Sequence, residues 1–150
     1  MASQQFCTFL LDGHLFGVPV PQVQEVIRFQ EMTPVPLAAE VVEGMINLRG
    51  QIVVAIDLRR RLELSERPEG ERPINVVVRT RDGAVSLLVD EIGEVIAAEQ
   101  SSFELPPQTL RGLLRATILG VYKLEGQLLH VLDIEKTCHV ADAEPVASSP

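Results

Sequence analysis

Tryptophan is absent from this chain, tyrosine occurs once, and cysteine only twice, at Cys7 and Cys138. With five phenylalanines as the only other aromatic rings besides histidine, a core has to be built mainly from Val, Leu and Ile, side chains that favour pleated, half-buried surfaces. Two cysteines near opposite ends, with no basic stretch leading into an apolar one, do not make a disulfide framework. A reducing cytoplasm is the expected compartment. Positive charge is also scarce. Thirteen Lys and Arg stand against 21 Asp and Glu, a formal net charge of -8, which excludes general nucleic-acid binding and attraction to anionic lipid. No apolar run approaches the roughly 20 residues of a membrane-spanning helix, so no direct membrane insertion is expected.

Reaction motifs are missing too. There is no G-x-x-x-x-G-K-[ST] and no G-x-G-x-x-G to cradle phosphates. His14, His130 and His139 show neither H-x-x-x-H nor C-x-x-C spacing, so no zinc site is expected, although Cys138-His139 and Cys7 could meet if the ends of the chain do. Ser86, Ser101 and Ser102 lack a nucleophile elbow. Carboxylates abound, but nothing pairs an acid with a base. The expectation is a protein without catalysis and without a cofactor.

What is present is a repeat. Val42–Leu58 reads VEGMINLRGQIVVAIDL and Ile118–Ile134 reads ILGVYKLEGQLLHVLDI. Gly44 matches Gly120 and Asp57 matches Asp133, both 76 residues apart (120 − 44 and 133 − 57). Upstream, Asp12-Gly13 resembles Asp82-Gly83, and Val23-Gln-Glu-Val-Ile27 resembles Ile92-Gly-Glu-Val-Ile96. The order of blocks is the same in both halves, which predicts two related subdomains, about 5–63 and 73–139, a linker over 64–73 and a disordered tail over 141–150.

Each half reads as short strands. Asp-Gly between apolar runs is a hairpin signal, giving 6–11 with 14–18 and 74–80 with 84–89. Second hairpins turn at Arg49-Gly50 and Glu125-Gly126. Gln51–Ile56 is apolar at nearly every position, as in a strand buried on both faces. Five or so strands per half can close a small barrel, and two such barrels gain by packing together. Asp57 and Asp133, each between a strand and a short amphipathic run, are expected to be helix N-caps. Arg59, Arg60 and Arg61 are expected on the solvated face of the first helix. His130, at the repeat position of Val54, is expected to be a partly buried, hydrogen-bonded histidine. The tips carry opposite charges, Arg49 and Glu125, which reads either as two unselected surface charges or as one half specialised for a partner, with Arg49 pairing a carboxylate through its planar fork.

The run Met32–Arg59, MTPVPLAAEVVEGMINLRGQIVVAIDLR, resembles the signature of CheW-like domains, as do FGVPVPQVQEVI at Phe16–Ile27 and LLVDEIGEVI at Leu87–Ile96. The resemblance covers about residues 5–138. It implies an all-β fold with short helices: two SH3-like five-stranded β-barrel subdomains packed around a shared hydrophobic core. It also implies a non-catalytic adaptor in bacterial chemotaxis. Such proteins bind the cytoplasmic hairpin tip of methyl-accepting chemoreceptors in the groove between the barrels, and the regulatory domain of the CheA histidine kinase. They are cytoplasmic and recruited to receptor arrays. By matching position, Val23, Glu25, Gly44, Asn47, Arg49 and, from the second half, Val95 fall in the interaction region. Each has a plainer role open to it: core packing for the valines, close backbone approach for Gly44, a local hydrogen bond for Asn47. One departure stands out, since the family often has Pro where this chain has Val54, which implies a more regular strand here. A CheW-like scaffold of a non-flagellar pathway, serving surface motility or pilus control, is the nearest alternative. A small-ligand or metal-binding β-barrel is the different-class one.

Overall fold

The computed structural model describes residues 3–139; the expected tail, 141–150, lies outside them. The chain folds as strands with three short helices. In order they are β1 (Ser3–Leu11), β2 (His14–Pro19), β3 (Val23–Ile27), β4 (Val42–Leu48), β5 (Gln51–Asp57), α1 (Leu58–Arg61), β6 (Ile74–Thr80), β7 (Gly83–Val89), β8 (Glu91–Glu99), β9 (Phe103–Glu104), α2 (Gly112–Thr117), β10 (Ile118–Leu124), β11 (Gln127–Leu132) and α3 (Ile134–Cys138). The 64–73 segment joins α1 to β6 without a strand or helix. Asp12 and Gly13 both have positive φ, 52° and 81°, which twists the β1–β2 hairpin with the hand of its strands.

The strands form two sheets, one ordered β8-β1-β2-β11-β10-β9 and the other β3-β6-β7-β5-β4. Each is therefore assembled from both sequence halves. The β1–β2 hairpin of 5–63 sits beside β8–β11, and the β6–β7 hairpin of 73–139 sits beside β3–β5. The repeat survives as two like sets of strands, but the spatial units are products of this reciprocal exchange. The exchanged hairpins join by parallel pairs, Phe16 beside His130 and Val85 beside Val54; Val54 and His130 are equivalent positions in the repeat. The sixth strand of the first sheet is the two-residue β9, reached from β8 through the short 3-10 turn Gln100–Ser102.

Neither sheet is hydrogen-bonded into a closed ring, yet both curl. In the second sheet β3 and β4 are opposite edges, but Ile27 and Ile46 pack in one cluster with Leu48, Val53 and Val77. In the first, Ala98 on the β8 edge shares a cluster with Phe6, Leu15, Tyr122 and Leu129. Between the two barrels lies the largest core, with Phe9, Leu11, Phe16 and Val18 from one sheet and Ile56, Val76, Val78, Leu87 and Val89 from the other, sealed by Leu58 and Leu62 of the α1 region and Ile134 of α3. Burying each such side chain contributes about 1.5–3 kcal/mol relative to leaving it exposed. Few aromatics suffice because three interiors share the work.

The helix caps form as expected: Asp57 accepts from the Arg59 backbone N–H at 3.1 Å and Asp133 from that of Lys136 at 3.1 Å. Val54 is paired on both sides, with Met45 and Val85, and the one register shift of the β4–β5 ladder falls beyond it, between Val42 and Gly44. The arginine run departs from expectation. Arg59 is buried and holds Asp90 through Nε at 3.1 Å and a second nitrogen at 2.6 Å. Arg61 donates to the carbonyls of Thr137 and Lys136 at 2.8 and 2.7 Å, at the end of α3. A run of like charges reads as solvated in sequence because its partners, Asp90 and the α3 carbonyls, are distant along the chain.

His130 meets its expectation. Its Nδ1–H donates to the Leu15 carbonyl at 2.9 Å, and its ring packs on Phe16. Burial pushes its pKa down, with the neighbouring His14 adding to the effect and the Leu15 hydrogen bond opposing it. The folded state therefore resists protonation, so this contribution to stability is complete above the unfolded value of about 6.5 and is lost as pH falls through the lower folded value. The urea midpoint should fall between pH 7 and pH 5. In His130→Gln, which keeps a donor toward Leu15 but does not titrate, that slope should flatten.

Candidate interaction surface

Arg49 and Gly50 form the β4–β5 turn with φ of 52° and 88°. Positive φ is costly for a side chain with a Cβ, and among the described non-glycine residues it occurs only at Asp12, Leu37, Arg49 and Glu63. The equivalent tip in the second half is built differently: Gly126 has positive φ and Glu125 does not. The two tips are thus not conformational equals. Asn47 steadies the first by accepting from the Gly50 backbone N–H at 2.8 Å.

From this tip the Arg49 guanidinium reaches across the mouth of the barrel and donates to the Glu25 carboxylate on β3. The pair ties together the two edge strands of one sheet. The hydrogen bond from Arg49 holds the Glu25 carboxyl below its ordinary range, and Glu25 in turn raises the guanidinium. Arg49 nonetheless stays 69% exposed against 22% for Glu25, so most of its face is open. The carboxylate partner expected for Arg49 is therefore already present within the chain. Gly44, on β4, is a close-approach glycine: a Cβ there would lie 2.8 Å from the Thr33 carbonyl oxygen, where residue 33 bridges to Met45.

The two valines occupy matching edges. On β3, Val23 stands opposite Val78 and Val26 opposite Val76; Val76 and Val78 belong to the core between the sheets. On β8, Ile92 stands opposite Phe9 and Val95 opposite Cys7. Directly paired residues share a face. Residues three apart on a regular strand point to opposite faces, so each edge strand must carry an extra residue. It does: Gln24 and Glu25 together oppose Val77, and Gly93 and Glu94 together oppose Thr8. These β-bulges turn Val23 and Val26 to one face and Ile92 and Val95 to another, each being the face that its sheet gives to the shared core. At the edges the core is uncovered, with Val26 40% exposed, Ile92 37% and Val95 58%.

The site residues expected from sequence therefore fall into two groups. Val23, Glu25, Gly44, Asn47 and Arg49 lie on β3, β4 and the β4–β5 tip of one sheet; Val95 lies on the free edge of the other. Val26 and Ile92 were missed. The signal was there, in the matched spacing of Val23-Gln-Glu-Val26 and Ile92-Gly-Glu-Val95, but period-two reading assigns the outer members of each to opposite faces. For other chemistry the surface offers little: no group of three His, Cys, Asp or Glu among the described residues could hold a metal ion. No helix among them is long and apolar enough to cross a membrane.

Comparison with known proteins places this geometry. Residues 5–142 match the CheW-like domain family. The chemotaxis protein CheW of Treponema pallidum is 32% identical over 148 residues, covering 96% of this chain and 87% of the relative. That of Bacillus subtilis is 31% identical over 131 residues, covering 87% and 84%. Among solved structures, the crystal structure of the scaffolding protein TtCheW from Thermoanaerobacter tengcongensis superposes with a TM-score of 0.79 at 28% identity, covering 88% of this chain and 90% of that one.

Proposed function

The chain belongs to the CheW-like domain family, and from that premise we propose that it is a chemotaxis adaptor that couples methyl-accepting chemoreceptors to a CheA-type histidine kinase through binding alone. Its place in this reading is the cytoplasm, where receptor arrays recruit it. The observation that carries the proposal is the pair of bulged edge strands. Val23 and Val26 on β3 and Ile92 and Val95 on β8 extend the inter-barrel core outward as two apolar rails. In this reading they are two docking strips for the apolar face of a receptor's helical hairpin tip. Helix-in-groove docking of this sort draws most of its affinity from a few buried apolar anchors.

Arg49 and Glu25 contribute mostly orientation and partner choice, and the smaller share of affinity. Gly44 and Asn47 act on partners indirectly, the first by admitting residue 33 against β4 and the second by bracing the turn that presents Arg49. An adaptor transmits a signal only if at least one of its contacts differs between the partner's signalling states. In this reading the rails meet the receptor and the charged tip meets a second protein, and the state-dependent contact is one of these two.

The test is Arg49→Glu, which sets two carboxylates side by side at the tip. Co-sedimentation with receptor fragments and kinase should fall several-fold, while the melting temperature stays within a few degrees of wild type. Lost stability with full binding by the folded fraction would assign Arg49 to the fold instead.

A further inference from the structure

The rail on β8 depends on a device that β3 does not share. In β3 the bulge is made by Gln24 and Glu25 against Val77, an apolar residue of the barrel interior. In β8 it is made by Gly93 and Glu94 against Thr8. Thr8 is 1% exposed, and alternates with Phe6 and Leu10 along the inward face of β1. A hydroxyl inside a barrel needs a partner. Thr8 finds it in the bulge, donating from Oγ1 to the Glu94 carbonyl at 2.5 Å. Gly93 makes room for that bond. A Cβ at 93 would stand 2.5 Å from Thr8 Oγ1, with the next atom, the Thr8 carbonyl oxygen, at 3.5 Å. Any larger residue has to displace β8 or rotate the hydroxyl away from Glu94.

We propose that Thr8 and Gly93 are positioning residues for partner docking: the buried hydroxyl and the missing side chain lock the β8 bulge, and the bulge brings Ile92 and Val95 onto one face. This rests on the reading of the β8 rail as a docking surface. If the bulge flattens into regular strand, Ile92 and Val95, three positions apart, fall on opposite faces and one of them turns toward the barrel interior. Without the lock, β8 slides on a free edge that has only β1 to hold it.

The chain carries its own register probe, because native Cys7 lies directly opposite Val95. Directly opposed strand residues are within disulfide reach. In Val95→Cys, mild oxidation at pH 8.5 should join Cys7 to the introduced thiol in a disulfide, identified by peptide mass mapping. Burial pushes both native thiols up, Cys138 to about 12, and the peptide map separates the Cys7 cross-link from any that involves Cys138. Adding Thr8→Val or Gly93→Ala to Val95→Cys should slow the cross-link at least fivefold, and adding Thr8→Ser should leave it within twofold. In the otherwise native chain, Thr8→Val should weaken binding of a soluble receptor hairpin fragment at least fivefold, with Thr8→Ser restoring it. Unchanged cross-linking overturns the lock. Slowed cross-linking with unchanged binding overturns its link to docking. A Val95→Glu chain that binds the fragment normally overturns the docking reading itself, whatever the cross-linking shows.

Discussion

Arg59→Ala should lower the free energy of unfolding by about 3–5 kcal/mol, the range for removing one partner of a buried ion pair. Only 8% of the Arg59 side chain and 13% of the Asp90 side chain meet solvent. The guanidinium does several jobs at once. It grips Asp90 at the β7–β8 corner, donates to the Ser65 and Glu66 carbonyls at 3.1 and 3.2 Å, and lies 3.7 Å from Asp12 at the tip of the exchanged hairpin. It thus fastens α1, the 64–73 segment, the first hairpin and the start of β8 to one another. Burial alone would raise the Asp90 carboxyl, but hydrogen bonds from Arg59 and the Asp12 backbone N–H, with the charges of Arg59 and Arg67, outweigh it and hold the carboxyl below its ordinary value. Take Arg59 away and a buried carboxylate keeps the Asp12 backbone N–H at 2.9 Å and the charge of Arg67, 3.5 Å distant. Equilibrium urea unfolding measures the loss, and Arg59→Ala combined with Asp90→Asn should recover part of it. The neighbouring Arg60, about a third exposed in its ion pairs, should cost under about 1 kcal/mol as Arg60→Ala. Equal losses at 59 and 60 would contradict this account of the clamp.

That contrast shows where sequence reading stops. The duplicated blocks and the Asp-Gly turns are local signals, and the hairpins and both capped helices follow from them; the continuous apolar run Gln51–Ile56 reads as buried on both faces, but Ile52 is 58% exposed and Val54 37%. The exchange of hairpins is not local. Nothing in Phe6–Val18 says that its neighbour will be Gln127–Leu132, more than a hundred residues on, because a strand's sequence specifies a face and not a partner. For the same reason Arg59 reads as solvated: Asp90 is 31 positions away. At the interaction surface, Arg49, Glu25 and Val95 could be reached by family resemblance. Val26 and Ile92 left only the matched spacing of Val23-Gln-Glu-Val26 and Ile92-Gly-Glu-Val95 as a trace, since the β-bulge that puts each pair on one face is identified by the register.

The second large effect belongs to those rails. Val95→Glu or Ile92→Glu should weaken receptor-fragment binding by about 2–4 kcal/mol, roughly 30- to 1000-fold in Kd. The cause is the cost of carrying an unpaired carboxylate into an apolar contact. Stability should hardly move, because both positions are already open to solvent in the free protein, and exposed substitutions usually fall within about 0.5 kcal/mol. Val26→Glu should behave alike on the β3 rail. Leu37→Glu removes an even more exposed apolar side chain, but from the segment between β3 and β4, and should bind as wild type. If Leu37→Glu and Val95→Glu weaken binding equally, general loss of apolar surface is the cause and the rails have no special standing.

The central claim is that this chain acts by holding two other proteins together. Reconstitution tests it most directly: kinase autophosphorylation is followed with receptor fragments in membranes, with and without this protein, and with its Val95→Glu form. The account predicts that receptor control of the kinase appears only when the wild-type chain is added and is lost with Val95→Glu, although that variant remains folded. Receptor control that is the same with and without the chain, or that Val95→Glu supports as well as wild type, would contradict it.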